Sequence, residues 1–215
     1  AGGNGSNGNS FNIINTSGGN LTITGFSQGG TYVNAAAPME VWMYPGDYIP
    51  VMANSVGWTL VGSATVALIN GGYSAVIPVT GVTIPAGATY GFRVGSTVSI
   101  AYANGIGTAG VTPWFSNSTL TVTEGHGGSS PFWNSFTPRG WNGIVYYGGG
   151  ATWYDANTGQ VIGNGDTTSY SPSQTTDIAA IFDCNGQTYT DTMTINVLNT
   201  TISTTGYSLC NGPLV

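Results

Sequence analysis

Residues 58–79, WTLVGSATVALINGGYSAVIPV, decide the class of fold. Two runs rich in Val, Ile, Ala and Thr flank Asn70-Gly71-Gly72, a turn signal, and neither run carries a sustained helical period. The same texture extends to both sides. SFNIINT (10–16), NLTITGFSQ (20–28), PMEVWMY (38–44), YIPVMA (48–53), VTIPAG (82–87), TYGFRVG (89–95), TVSIAYANG (97–105), STLTVTEG (118–125) and FTPRGWNGIVYY (136–147) are short β-like runs. Breaks such as Pro45-Gly46 and Asn54 separate them. In PMEVWMY, alternation sets Val41 and Met43 on one face and Glu40 and Trp42 on the other. Many short strands without helices predict an all-β, jelly-roll-like sandwich over residues 1–147.

Composition narrows the function classes. The chain has 215 residues, a formal charge of −6 and only 5% charged residues, against about 25% in ordinary soluble domains. Lysine is absent; Arg93 and Arg139 are the only cations besides the lone histidine, His126. That excludes a phosphate-binding surface, and hence nucleic acid, and it removes the basic patches that anionic membranes attract. No apolar run is long enough to span a membrane. Ser, Thr, Asn, Gln and Gly solvate the surface instead. With two cysteines, this composition suits an oxidising, extracellular setting. Ala1 reads either as a mature N-terminus or as the cut edge of a larger protein.

After Tyr147 the texture changes. Gly148-Gly149-Gly150 reads as a hinge-like spacer, followed by ATWYDANTGQVIGNG (151–165), TSYSPSQTTDIAAIFDCNGQ (168–187) and TYTDTMTINVL (188–198). A Trp in an early strand, a turn at 155–159, and a late strand that ends at Cys184 before Asn185-Gly186 have the shape of a small immunoglobulin-like sandwich over 148–215.

The stretch from Trp153 to Val197 resembles the Ig-like modules that recur in large secreted surface proteins of Bacteroidetes-type bacteria. GNGSNGNSFNI, WTLVGSATV, TIPAGATYGF and SFTPRGWNGIVYY resemble a β-sandwich of the same adhesin-like proteins. The resemblance implies secretion and a structural or adhesive role, and no chemistry. In that Ig family a strand carrying L-C-x-G precedes the Trp, and its Cys pairs across the sandwich with the late Cys. Here SLCNGPLV (208–215) has that pattern but lies at the C-terminus. The resemblance therefore implies a Cys184–Cys210 disulfide. The strand folds back into its own module, or it completes a neighbouring subunit head to tail by strand addition, or it opens a further module of a tandem array.

Candidate chemistry is sparse. Glu124, His126 and Ser129-Ser130 lie close in sequence but read as a Gly-rich loop rather than a triad, and the acids offer no recognisable carboxylate pair. Catalytic residues and cofactors are therefore expected to be absent, with a structural calcium the sole cofactor considered. Asp155-x-Asn157-x-Gly159 resembles the start of a calcium loop but lacks its bidentate Glu. Trp114, Trp133 and Trp141, in aromatic-rich presumed loops, are candidates for stacking on sugars, so a carbohydrate-binding domain is the alternative function. N-x-S/T triplets begin at Asn4, Asn15, Asn20, Asn117 and Asn199, and Asp166-Thr167-Thr168 and Asp191-Thr192-Met193 resemble the O-glycosylation sites of Bacteroidetes-type secreted proteins, which implies Thr167 and Thr192 as candidate positions. The expectation is a subunit or repeat segment of a bacterial extracellular filament or surface adhesin. Its partners would be copies of itself, neighbouring modules or surface glycans.

Overall fold

In the computed structural model the described residues are 4–129, 132–149, 151–165, 168–184 and 187–197. Their regular structure is strand throughout, apart from one 3-10 turn at Ile49–Val51. The strands are β1 (Asn4–Asn15), β2 (Leu21–Gly30), β3 (Asn34–Tyr44), β4 (Thr59–Leu68), β5 (Gly72–Tyr73), β6 (Ile77–Ile84), β7 (Thr89–Asn104) and β8 (Pro113–Ser116). They continue as β9 (Leu120–Thr123), β10 (Gly125–Ser129), β11 (Trp133–Trp141), β12 (Gly143–Gly149), β13 (Ala151–Asp155), β14 (Val161–Gly165), β15 (Thr176–Cys184) and β16 (Gln187–Ile195). The expected all-β sandwich is present. No helix among the described residues is long and apolar enough to cross a membrane.

A large sheet runs β4-β3-β7-β11-β10-β1-β9-β8. β1 pairs with β7 as well as with β10, so β7, β11, β10 and β1 form a closed circuit of pairings. The facing sheet has β2 between β12 on one side and β5 and β6 on the other. A third sheet, β14-β13-β15-β16, holds the C-terminal residues.

The core lies between the first two sheets and follows the period-2 pattern of the strands. Phe11 and Ile13 of β1, Leu21, Ile23 and Phe26 of β2, Met39 and Val41 of β3, and Phe92 and Val94 of β7 are all buried there. Its centre is aromatic. Phe11 stacks on Trp141 with centroids 5.0 Å apart, Phe26 meets Trp141 edge-on at 5.6 Å, and Phe26 tilts on Phe92 at 5.4 Å. Each such pair adds about 0.5–1.5 kcal/mol beyond area burial.

The outer face of the large sheet carries a second apolar cap, where Trp58 packs on Phe132 and Tyr44, and Trp42 meets Phe132 edge-on. The segment 45–58 crosses this face and places Tyr48 over it. Beneath lies a layer of polar side chains. Arg93 is buried, donates to Ser10 Oγ (3.1 Å) and to the Ser129 carbonyl (2.8 Å), and sits 5.4 Å from the Phe132 ring centroid. Burial lowers its pKa to about 10, which still leaves it charged at neutral pH.

The glycine spacer is not a free hinge. Gly148 and Gly149 are the last residues of β12 and pair with Thr22 and Leu21. The chain passes from there into β13, and β12 lies against β15. In the C-terminal module the described residues form a single sheet. Its strand β15 ends at Cys184, paired in register with Gln187. The Cys184 side chain and the whole of Cys210 lie outside the described residues, so the expected disulfide does too.

Phe11→Ala should lower unfolding free energy by about 3–5 kcal/mol, because it removes a fully buried ring at the centre of the core. Val56→Ala, on the exposed segment, should stay within about 0.5 kcal/mol. Denaturant titration of both variants checks this; similar small effects for the two would show that the core is not centred on Phe11.

Candidate functional site: an aromatic groove between two sheet edges

β8 is the last strand of the large sheet and β12 the last of the facing sheet. Between these edges opens a cavity of about 730 Å³. Its near wall is Trp114 and Phe115 on β8, with Asn117 beyond; its far wall is Gly143 to Val145 and Tyr147 on β12, with Gly29, Gly30, Gly71, Gly72 and Tyr73 at the rim. Leu120, Val122 and Trp141 form the floor. No charged side chain lines it among the described residues.

Two consecutive residues of a regular strand face opposite ways, yet Trp114 and Phe115 both line this cavity. The pairing of β8 with β9 explains it. Pro113 opposes Thr123 and Phe115 opposes Val122, so β8 carries one extra residue, Trp114. Such a bulge re-aims side chains and is common beside binding sites. Trp114 is then pinned: its Nε1 donates to the Trp141 carbonyl (2.8 Å), and its ring lies against Gly140, where any Cβ would collide with it. A second tie crosses the gap, from Asn117 Nδ2 to the Tyr147 hydroxyl (3.0 Å).

The sugar-stacking candidates therefore separate. Trp114 is 37% exposed at the groove wall. Trp141 is corrected from a loop aromatic to a core residue, 3% exposed, with its indole N–H donated to Gln28 Oε1 (3.0 Å). Trp133 lies on β11, and its side chain is outside the described ones. Phe115, from the same aromatic-rich run as Trp114, lines the groove too, as do Tyr73 and Tyr147, although nothing in NGGY or IVYY marks a shared cavity.

The Glu124–His126–Ser129 neighbourhood does not converge on one point. Glu124 is buried and accepts backbone N–H groups of Ile106 (3.0 Å) and Gly107 (2.8 Å), fixing the loop after β7. His126 Nδ1 is hydrogen-bonded to the Tyr48 hydroxyl (2.7 Å) under the outer apolar cap. Burial pushes the Tyr48 hydroxyl up and holds the His126 imidazole below its ordinary value. The Ser129 carbonyl serves Arg93. Arg139 donates to the Pro138 carbonyl (2.8 Å) and lies over the Tyr102 and Phe136 rings.

Asp155, the first residue of the calcium-like turn, is occupied by the protein itself. Its Oδ1 accepts the N–H groups of Asn157 (2.9 Å) and Thr158 (3.0 Å); its Oδ2 accepts the hydroxyls of Tyr170 (2.8 Å) and Thr176 (3.3 Å). The Tyr170 hydrogen bond, followed by those backbone donors, holds the Asp155 carboxyl below the usual carboxylate range. No cluster of three His, Cys, Asp or Glu side chains that could hold a metal occurs among the described residues.

Of the glycosylation candidates, Asn15 is buried, and its amide donates to the Gly19 and Ile84 carbonyls (both 2.8 Å) while its Oδ1 accepts from Ser17. It is a structural asparagine in the folded sandwich. Asn20 and Asn117 are exposed, as is Thr192 on β16. Asn199 and Thr167 lie outside the described residues.

Comparison with protein-family models, with curated proteins and with solved structures finds no match.

The buried histidine gives a pH dependence with a definite sign. Its folded pKa lies below the unfolded value of about 6.5, so the unfolded chain binds the proton first. Stability is fully present above that value and falls as pH drops from it toward the lowered folded pKa. Thermal unfolding between pH 8 and pH 5, at values chosen around that pKa, should show a falling midpoint that flattens in His126→Gln. A wild-type midpoint independent of pH in this window would refute the assignment.

Proposed function

We propose that the chain is a structural and adhesive module of a bacterial extracellular filament or cell-surface protein, and that it associates with copies of itself or with neighbouring modules through β-strand edges. One observation carries this reading. Among the described residues β16 is the terminal strand of its sheet, and it is exposed on both faces from Tyr189 to Thr194. Met193 is 55% and Tyr189 47% exposed, although Met193 shares a face with the buried Ile178, opposite it across the β15–β16 pair. An edge strand with unpaired N–H and C=O groups is a template for another strand. Natural β-proteins usually blunt such edges with Lys, Pro or a covering loop, and Thr188 to Ile195 contain neither Lys nor Pro.

The extracellular setting rests on the neutral, lysine-free surface. The Cys184–Cys210 bridge belongs to the same proposal: a terminal strand packed across the sandwich from this sheet would bring its cysteine to the end of β15, whereas one added at the β16 edge would stand two strand spacings, about 10 Å, away. Residues 198–215 supply Ile202, Leu209, Leu214 and Val215 for an apolar face. If the strand comes from a neighbour, each subunit passes its tail onward and an open, head-to-tail filament results.

Native mass and size under non-reducing conditions test the reading. The wild type should form oligomers that grow with concentration, and Thr190→Lys/Thr192→Lys should shift the population toward monomer by charging the edge. A wild type that stays monomeric at every concentration, with two freely titratable thiols, would overturn it.

A further inference from the structure

We propose that the groove between β8 and β12 is a binding site for a neutral oligosaccharide, taken up by stacking on Trp114, Phe115 and Tyr73. The inference does not depend on the association of β16, because no residue of the C-terminal sheet lines the groove among the described residues.

Two kinds of occupant suit an opening between sheet edges, and the floor decides between them. A sandwich that lacks a strand leaves its core aliphatics open to water, and a donated strand covers them. Here the floor is already sealed: Leu120 is 1% and Val122 4% exposed. What the groove offers instead is ring surface, with Phe115 53% and Tyr73 54% exposed beside Trp114. Rings half open to solvent on the walls of a closed-floored cleft match the C–H faces of pyranose rings, which are apolar on the face and polar around the edge.

The polar groups fit the same ligand. Asn142 contributes to the lining, as does Asn117, whose amide already serves the protein: its Nδ2 donates to the Tyr147 hydroxyl and its Oδ1 accepts the N–H groups of Thr119 and Leu120. The Nδ2 of Asn142 is shut from solvent and finds no acceptor among the described residues, although the Asn142 carbonyl is used by Gly29 and Gln28. Gly29, Gly30, Gly71 and Gly72 bring backbone without side chains to the rim, with the N–H groups of Gly29, Gly71 and Gly72 already donated to the carbonyls of Asn142, Gly30 and Ile69. Amides and peptide groups bind hydroxyls, and the absence of charge from the lining leaves nothing to compensate a carboxylate or sulfate. The volume lies within the range of small-ligand clefts, about 300–1,000 Å³. The bulge at Trp114 and the two cross-ties hold the rings in place before a ligand arrives, which reduces the ordering cost of binding.

The test uses the whole chain and its Thr190→Lys/Thr192→Lys variant, so that assembly does not confound binding. Cellohexaose, laminarihexaose, xylohexaose and mannohexaose are titrated by calorimetry and tryptophan fluorescence, with oligogalacturonate as the anionic control and a peptide of residues 200–215 as the rival occupant. At least one neutral hexasaccharide should bind with a dissociation constant of about 1 mM or tighter. Trp114→Ala and Phe115→Ala should each weaken it about tenfold, while Phe136→Ala, an exposed ring outside the groove, should leave it unchanged. Phe115→Ala guards against misfolding of the Trp114 variant, and circular dichroism checks both. Failure of all four sugars, binding indifferent to both groove variants, equal binding of oligogalacturonate, or occupation of the groove by the peptide in preference to sugar would each overturn the proposal.

Discussion

The indole of Trp141 stands where the chain leaves the large sheet for the facing one, and most of the sandwich is tied to it. Its ring fills the centre of the aromatic core against Phe11 and Phe26. Its N–H bonds to Gln28 Oε1, while Gln28 Nε2 reaches the carbonyls of Gly29, Ala101 and Asn142. One buried amide thereby joins the end of β2, the C-terminal part of β7 and the turn into β12. The Trp141 carbonyl fixes Trp114, and the ring is the floor of the groove. Gly143 follows because a Cβ there would strike that ring. The groove is thus shaped by the same side chain that closes the core, and its geometry is as rigid as the core itself.

A chain with so few charges must satisfy buried polar groups by other means, and it does so with neutral side chains. Asn12 shows the pattern: its Nδ2 donates to Asp47 Oδ1 (2.8 Å), its Oδ1 accepts the N–H of Tyr48, and its own N–H is taken by Thr123 Oγ1. Asn15 does the same three residues on, where β1 ends. These amides rivet irregular segments to strands where no regular ladder reaches, and an unmade bond at such a place costs about 1–3 kcal/mol. The price of this economy is that Asn-rich sequence ceases to signal surface. The Asn15 triplet looks like a glycosylation site because Asn, Ser and Thr are the residues that perform both tasks.

That ambiguity explains what was legible in the sequence. The strands were, since alternation in PMEVWMY and the Asn70-Gly71-Gly72 turn are local: Met39 and Val41 do face the core, and Gly71 takes φ +70° in its turn. The third sheet was legible from the texture of 151–197. Long-range relations were not. GWNG reads as a loop around Trp141, and only the opposing Phe11, Phe26 and Gln28 reveal a core position. Gly148-Gly149 reads as a spacer until Thr22 and Leu21 supply its partners. The extra residue at Trp114 is invisible because a bulge is a property of two strands, not of one. Glu124 and His126 sit two residues apart, yet one fixes a loop and the other anchors a cap, since segments distant in sequence bring them different partners.

The molecule has two openings, and they differ in what they leave unsatisfied. At β16 the described residues end the sheet, so its outer edge presents a backbone array to which they supply no further strand, with side chains exposed on either face. Only another strand matches that array, whatever its sequence, so the edge favours association that is strong but weakly selective. At the groove the backbone is largely paired and the core is sealed; the unmet surface is that of specific rings and amides, whose positions are set by a bulge and by two named hydrogen bonds. Such a surface selects by shape and by hydrogen-bond geometry. A module that did both things proposed above would need these two kinds of surface kept apart, because a groove able to accept any strand would be filled by its own copies. Sealing the floor with Leu120, Val122 and Trp141 achieves that separation: it removes the apolar reward that would draw a strand into the groove and leaves the rings free for a ligand of a different chemistry.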